Sequence, residues 1–233
     1  MKIALFGYGK MGQLIEKLAI QRGHSITGIA DVDRPDIDFS EVDVAIDFSA
    51  PEAAFDNIVS CINNGVPVIS GTTGWLERYD EAVELCKEKS GAFLYASNFS
   101  LGVNVFFALN SYLAKLMNPL EQYKVSLEEI HHIHKLDAPS GTAITIAEGI
   151  IENSSYENWR MNEGSDNEIP VSSVREGEYP GTHIVAYKSD VDDIEIKHTA
   201  HSRNGFALGA VIAAEWLKGR EGVFSMKDVL KLG

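Results

Sequence analysis

Near its start the chain runs Ile3-Ala-Leu-Phe6, then Gly7-Tyr-Gly-Lys-Met-Gly12, then a stretch with Met11, Leu14, Ile15, Leu18 and Ala19 on one helical face. Few folds accept an apolar strand, a glycine turn and a helix in that order. Gly23 ends the helix, Ser25-Ile-Thr-Gly-Ile-Ala30 reads as a second buried strand, and Asp31 stands at its carboxyl end. A GxGxxG pattern alone is a weak signal. Here it opens a helix inside a βαβ unit, and an acidic residue follows about twenty positions later, where it can accept a hydrogen bond from a ribose hydroxyl. The unit predicts dinucleotide binding through Gly7, Tyr8, Gly9, Lys10, Met11 and Gly12, with Asp31 on the adenosine ribose.

The alternation continues with strand 42–48, helix 52–62, strand 67–70, helix 76–87 and strand 92–96. Such repetition predicts an α/β fold, a doubly wound parallel sheet of the Rossmann kind. Two strand ends carry polar loops, Gly71-Thr-Thr-Gly74 and Ala96-Ser-Asn-Phe99. Ligands of open α/β sheets bind beyond such carboxyl ends, so these loops are expected to face the nicotinamide half. On spacing alone, Thr72, Thr73 and Asn98 serve equally well as turn residues. After a helix near 104–117 the texture changes to strands at 125–132, 171–174, 182–188 and 193–198, separated by polar turns. This predicts a second, α+β domain on a mixed sheet. The acidic stretch 152–169 is expected to be a surface connection, and the apolar helix 205–217 to return to the first domain. The expected division is 1–99 for dinucleotide binding, 100–203 for substrate binding and oligomerisation, and 204–233 for the returning helix.

Composition narrows the function. The formal charge of −14 argues against nucleic-acid or anionic-membrane partners, which need a basic surface. No apolar run approaches the ~20 residues of a membrane-spanning helix, and Met1-Lys2 leads straight into a strand without a signal-peptide pattern. A cytoplasmic protein is expected. Cys61 and Cys86 fall in separate helices with no metal or redox spacing, so free thiols are expected. Small anions remain possible ligands, because they sense charges within roughly a Debye length, about 8–10 Å.

One segment concentrates the chemistry: Glu128-Glu-Ile-His-His-Ile-His-Lys-Leu-Asp-Ala-Pro-Ser-Gly-Thr-Ala143. A strand delivers His131 and His132, and Pro139-Ser140 precedes a helical pattern whose first amides, at Gly141 and Thr142, would face a bound anion. Ser140 also suits a plain N-cap. His134 is read as a packed or solvent-facing side chain and Asp137 as a loop organiser, since an anion would repel an anionic ligand. His131, His132 and Lys135 are costly to bury together without partners, which favours a functional pocket.

The order His-His-x-x-Lys-x-Asp-Ala-Pro-Ser-Gly-Thr-Ala resembles one family, the dihydrodipicolinate reductases of lysine and diaminopimelate biosynthesis. The resemblance extends through Gly7–Gly12, Asp47-Phe-Ser-Ala-Pro-Glu52, Gly71–Gly74, Asn98-Phe-Ser, Arg175-x-Gly177 with Gly181-x-His183, and His198-x-Ala-x-Ser-Arg203. It implies reduction of a cyclic, imine-type dicarboxylate, formed from 4-hydroxy-tetrahydrodipicolinate, by NADH or NADPH. It further implies His131 and Lys135 as proton donors, and His132, Gly141 and Thr142 as carboxylate binders. Gly71, Thr72, Thr73, Ala96, Ser97, Asn98 and Phe99 become cofactor residues, no metal is involved, and the assembly is a homotetramer. Arg203 either supports the pocket or pairs with a carboxylate.

Two departures stand out: a shortened segment between Ala30 and Val42, and Ser49 where the family often has threonine. Asp31 favours NADH because a 2′-phosphate would meet like charge; Asp33 adds to that repulsion, whereas Arg34 could pair with the phosphate, so dual use stays open. The rival classes are a dehydrogenase of another substrate and a non-catalytic nucleotide sensor. The first leaves the histidine segment unexplained, and the second leaves His131, His132 and Lys135 without a purpose.

Overall fold

The computed structural model describes residues 1–33 and 36–232; Arg34, weighed above as a phosphate partner, lies outside the described residues. The chain forms two compact units, Met1–Leu101 with Asn204–Gly233, and Gly102–Arg203.

The first unit begins with β1 (Lys2–Phe6), α1 (Lys10–Gln21), β2 (Ser25–Ala30), β3 (Val44–Asp47), α2 (Pro51–Asn63), β4 (Val68–Ser70), α3 (Tyr79–Glu88) and β5 (Ala92–Tyr95). Its inner strands are apolar on both faces, as buried parallel strands must be, whereas the edge strand β2 exposes Ser25 and Thr27. Ile3, Leu5, Val44 and Ile46 point into one core layer, and Ala4, Phe6 and Ala45 into the other. Pro51 starts α2 at a position where its missing N–H costs nothing. A short 3-10 turn, Leu76–Arg78, precedes α3, so the helix expected from Leu76 begins three residues late.

The second unit contains α4 (Leu101–Met117), β6 (Lys124–His131), α5 (Gly141–Ile151), β7 (Asn158–Met161), β8 (Glu168–Arg175), β9 (Gly181–Lys188) and β10 (Asp193–Ala200). The strands lie in the order β10-β9-β6-β8-β7. The β6–β9 and β9–β10 pairs are antiparallel, and the β6–β8 and β7–β8 pairs are parallel, so the sheet is mixed. Alternation along β6 buries Val125, Leu127, Glu129 and His131 on one side. β7 corrects the expectation that 152–169 is only a surface connection. It is an edge strand whose Trp159 and Met161 pack on the core, and its polar neighbours disguise that alternation in the sequence.

The chain then re-enters the first unit through α6 (Asn204–Leu217), β11 (Gly222–Phe224) and α7 (Met226–Leu230). β11 completes a parallel sheet of order β11-β5-β4-β3-β1-β2. The small residues of α6 allow close packing: a Cβ on Gly209 would lie 1.8 Å from the Phe99 carbonyl oxygen. Cys61 and Cys86 are buried free thiols. No helix among the described residues is long and apolar enough to cross a membrane.

Candidate active site

In the first unit the glycine turn lies at the carboxyl end of β1. Gly7 has φ +85°, and a Cβ there would meet the Phe48 carbonyl oxygen at 2.2 Å; one on Gly12 would meet the Gly7 carbonyl oxygen at 2.3 Å. The fold itself therefore demands these two glycines. Gly9 is different, for nothing lies within 4 Å of its missing Cβ. It caps α1 without a side-chain hydrogen bond, and no acidic residue occupies the first turn. A bare, positively polarised helix start beside an open glycine fits a diphosphate. Lys10 is exposed there, Met11 is half-buried against the core, and the Tyr8 hydroxyl donates to Glu16. Asp31 is exposed at the end of β2, its carboxylate accepting from the Val32 N–H at 2.9 Å.

The first of the two polar strand-end loops is organised by a residue that sequence reasoning did not single out. Asp47, fully buried at the end of β3, accepts from Ser49 Oγ (2.6 Å), Asn57 Nδ2 (3.1 Å), Ser70 Oγ (2.8 Å) and Thr72 Oγ1 (2.8 Å). The Thr72 hydroxyl also accepts from the Ser49 N–H at 2.9 Å, and its carbonyl accepts from Trp75 Nε1 at 2.8 Å. Thr72 thus holds the loop together, while Thr73 is exposed. A Cβ on Gly71 would strike the Phe48 ring at 2.3 Å. In the next loop the Ala96 N–H donates to the Ser70 carbonyl, Ser97 is exposed, and Asn98 Oδ1 accepts from the Ser100 N–H at 2.9 Å. The Phe99 ring belongs to the core and packs 5.7 Å from that of Phe48, so only its backbone is suited to a ligand.

In the second unit His131 ends β6 with its ring almost wholly buried. Glu129, on the same face of the strand, is fully buried. Its Oε1 accepts from the Ser140 N–H (3.0 Å), Ser173 Oγ (2.8 Å) and Arg175 Nη2 (2.9 Å). Its Oε2 has no hydrogen-bond partner, and lies 3.3 Å from His131 Nδ1 and 3.8 Å from His183 Nε2. Burial pushes the Glu129 carboxyl up, but the Ser140, Arg175 and Ser173 hydrogen bonds win and hold it below its ordinary value. Burial pushes the His131 imidazole down, and the Glu129 charge opposes that. His183, buried and beside His131, is pushed down to about 4. Glu129, His131 and His183 offer one donor atom each within 4.8 Å of one another, a spacing that could also hold a metal ion.

Around this cluster the segment 132–141 folds back on itself. The His132 N–H donates to the Tyr179 carbonyl at 2.9 Å, and its ring Nδ1 is buried without a partner. Lys135 Nζ grips both oxygens of Asp137 at 2.8 Å, and the Asp137 carbonyl accepts from Arg175 Nη2 at 2.6 Å. Asp137 is a loop organiser by these contacts. His134 is exposed and lies 3.3 Å from Glu178, and Arg203 is exposed. Ser140 is both N-cap and anchor: its Oγ accepts from the Ala143 N–H at 3.2 Å while its own N–H reaches Glu129. The cap leaves Gly141 and Thr142 as the first residues of α5, at the positive end of the helix.

Residues 1–99 match the family model described as dihydrodipicolinate reductase, N-terminus, and residues 102–230 the one described as dihydrodipicolinate reductase, C-terminus. The chain belongs to the dihydrodipicolinate reductase family. It is 57% identical over 233 residues to the 4-hydroxy-tetrahydrodipicolinate reductase of Christiangramia forsetii, covering 99% of this chain and 98% of that one. It is 36% identical over 229 residues to the protein of the same name from Neisseria meningitidis serogroup B, covering 93% and 84%. A solved structure of dipicolinate-bound dihydrodipicolinate reductase from Paenisporosarcina sp. TG-14 superposes with a TM-score of 0.75 at 23% identity, covering 97% of each chain, a likeness of fold.

Beyond the family pattern, Glu129, Ser173 and the burial of His183 escaped sequence reasoning. A usable signal existed for Glu129. It falls in phase with Val125 and Leu127, so strand alternation places a carboxylate on the buried face, where it needs a partner.

Proposed function

We infer that this chain is an oxidoreductase of lysine and diaminopimelate biosynthesis, which reduces 4-hydroxy-tetrahydrodipicolinate, via dihydrodipicolinate, to tetrahydrodipicolinate with NADH or NADPH. Near-full-length identity to reductases of that name carries the reading. The buried imidazole–carboxylate cluster supplies chemistry to match. Bound reduced nicotinamide supplies the hydride. Loss of water from the 4-hydroxy compound gives dihydrodipicolinate; one hydride and one proton then add across a ring double bond, and the charge that builds on the accepting system calls for an acid and fixed cations. His131 and Lys135 provide the proton and the positive charge. His132 and the α5 start at Gly141 and Thr142 bind the substrate carboxylates. The open Gly9, the bare start of α1 and the loops at Gly71–Thr73 and Ala96–Phe99 support dinucleotide binding by the first unit. Residues 100–203 then form the substrate-binding and oligomerisation part. Its sheet ends in the largely exposed strand β10, an edge that association would cover, in keeping with a homotetramer. A cytoplasmic setting suits a biosynthetic enzyme with two free thiols.

Asp31 favours NADH over NADPH, because its carboxylate suits a ribose hydroxyl and repels a phosphate. One assay tests both points: nicotinamide absorbance is followed with freshly generated 4-hydroxy-tetrahydrodipicolinate and either nucleotide. Oxidation that requires the substrate, with kcat/KM for NADH at least equal to that for NADPH, is the expected result. Absence of turnover with both nucleotides refutes the function, and a strong NADPH preference refutes the role of Asp31.

A further inference from the structure

We propose that Glu129 is the positioning residue for His131: its unpartnered oxygen accepts a hydrogen bond from the Nδ1–H of the imidazole, leaving Nε2 as the ring atom that exchanges a proton with substrate. The inference rests on the proton-handling role given to His131 above. It begins with the unequal treatment of the two carboxylate oxygens. Three donors converge on Oε1, from Ser140, Ser173 and Arg175, and fix the plane of the carboxylate. Oε2 is sealed from solvent, and the nearest ring nitrogen is His131 Nδ1 at 3.3 Å, itself buried without another partner; His183 Nε2 stands off at 3.8 Å, beyond hydrogen-bond reach. Two such orphans side by side are costly unless they pair. At 3.3 Å the two atoms are within reach but not aligned for a hydrogen bond; catalytic hydrogen bonds are often long or poorly aligned before substrate binds and tighten afterwards, so this is a resting geometry compatible with the pairing.

The other edge of the ring lies against a glycine. Gly181, at φ +153°, faces it, and a Cβ there would sit 3.0 Å from His131 Nε2. Only glycine accepts that backbone easily, and any side chain at this position would crowd the nitrogen. The remaining charged or titratable groups facing His131 are Lys135 and Arg175, which disfavour its protonation, Asp137, which favours it, and His183. His183 stands 3.8 Å from Oε2, beyond hydrogen-bond reach, and with its imidazole pushed down to about 4 it brings no positive charge to Glu129 near pH 7. The rival use of the same donors is a divalent cation. Arg175 already neutralises the carboxylate from the other oxygen and Lys135 adds a second positive charge nearby, an arrangement that opposes a cation and suits an imidazole.

The experiment is nitrogen-15 NMR of the histidine rings in the full-length protein, across pH, with steady-state kinetics and elemental analysis on the same samples. In the parent, the neutral His131 ring is expected to carry its proton on Nδ1. In Glu129→Gln, whose amide can still face Arg175 with its oxygen and now offers a donor to Nδ1, the tautomer should reverse and the ring should titrate at lower pH. The basic limb of the kcat/KM profile should move the same way, and kcat should fall by about tenfold or more with the KM for nucleotide unchanged. A parent ring protonated on Nε2 overturns the proposal even if Glu129→Gln fails to fold. So does a folded Glu129→Gln protein with unchanged titration and kcat, or one equivalent of metal in the active parent. An inactive parent that shows the Nδ1 tautomer and its reversal would unseat the functional reading while upholding the pairing.

Discussion

Asp47 and Glu129 are both carboxylates with no exposed surface, each at or near the end of a β-strand, yet they are held in opposite ways. Asp47 has neutral donors on both oxygens, drawn from Ser49, Asn57, Ser70 and Thr72. Burial pushes its carboxyl up in spite of those bonds. Glu129 has a guanidinium among its donors, stays below its ordinary value, and leaves one oxygen facing two imidazoles. A carboxylate whose oxygens are all satisfied is a fastener for loops. One left half-satisfied beside titratable rings is able to work on them.

The largest expected effect lies on the Glu129 side. His131→Ala and Lys135→Ala should each lower kcat by ~10²-fold or more, the usual size of a general-acid contribution. The melting temperature of Lys135→Ala should stay close to that of the parent, since Lys135 is paired only with a surface carboxylate, whereas His131→Ala removes a buried ring beside Glu129 and should also lower stability. Two folded variants with unchanged kcat would remove the chemistry from this half of the comparison. On the other side, Asp47→Asn turns an acceptor into a donor among hydroxyls already donating. It should cost stability by about 1–3 kcal/mol in urea unfolding, with kcat at saturating nucleotide preserved. Loss of turnover at full stability would show that Asp47 is more than a fastener.

The sequence exposed the two halves unequally. The first unit was legible because Gly7, Gly9, Gly12 and Asp31 stand in a fixed relation to a strand and a helix, and the chain repeats that alternation. Asp47 was hidden for the opposite reason. Its partners come from positions 49, 57, 70 and 72, which only the pairing of β3 with β4 and the return of α2 bring together. In the second unit, His131, His132 and Lys135 drew notice as neighbours in sequence. Their supports, Ser173, Arg175 and His183, lie on strands paired with β6 through register that no local pattern specifies. β7 escaped because an edge strand needs only one apolar face, and Trp159 and Met161 are interleaved with Asn158 and Arg160.

The smallest expected effect concerns pH and the ring that Glu129 does not claim. His183 is buried, lies beside His131, and has its imidazole pushed from 6.5 down to about 4. A depressed histidine pKa means that the folded state resists a proton the unfolded chain accepts. Above pH 6.5 both states are neutral and the full stability is present; as pH falls from 6.5 through about 4, the unfolded chain binds the proton first and stability is lost. Burial of His131 adds in the same direction. His183→Asn, which keeps a polar group near Ser140 but cannot titrate, should therefore flatten the melting-temperature profile between these limits, removing on the order of 1–2 kcal/mol of its pH dependence. An equal slope in parent and variant would mean that the folded protein lets His183 take up its proton, with Glu129 Oε2 as the nearest charge to receive it. The contrast would then sharpen in an unplanned direction: the half-satisfied carboxylate would serve both imidazoles, and the division between a working ring and a silent one would have to be redrawn.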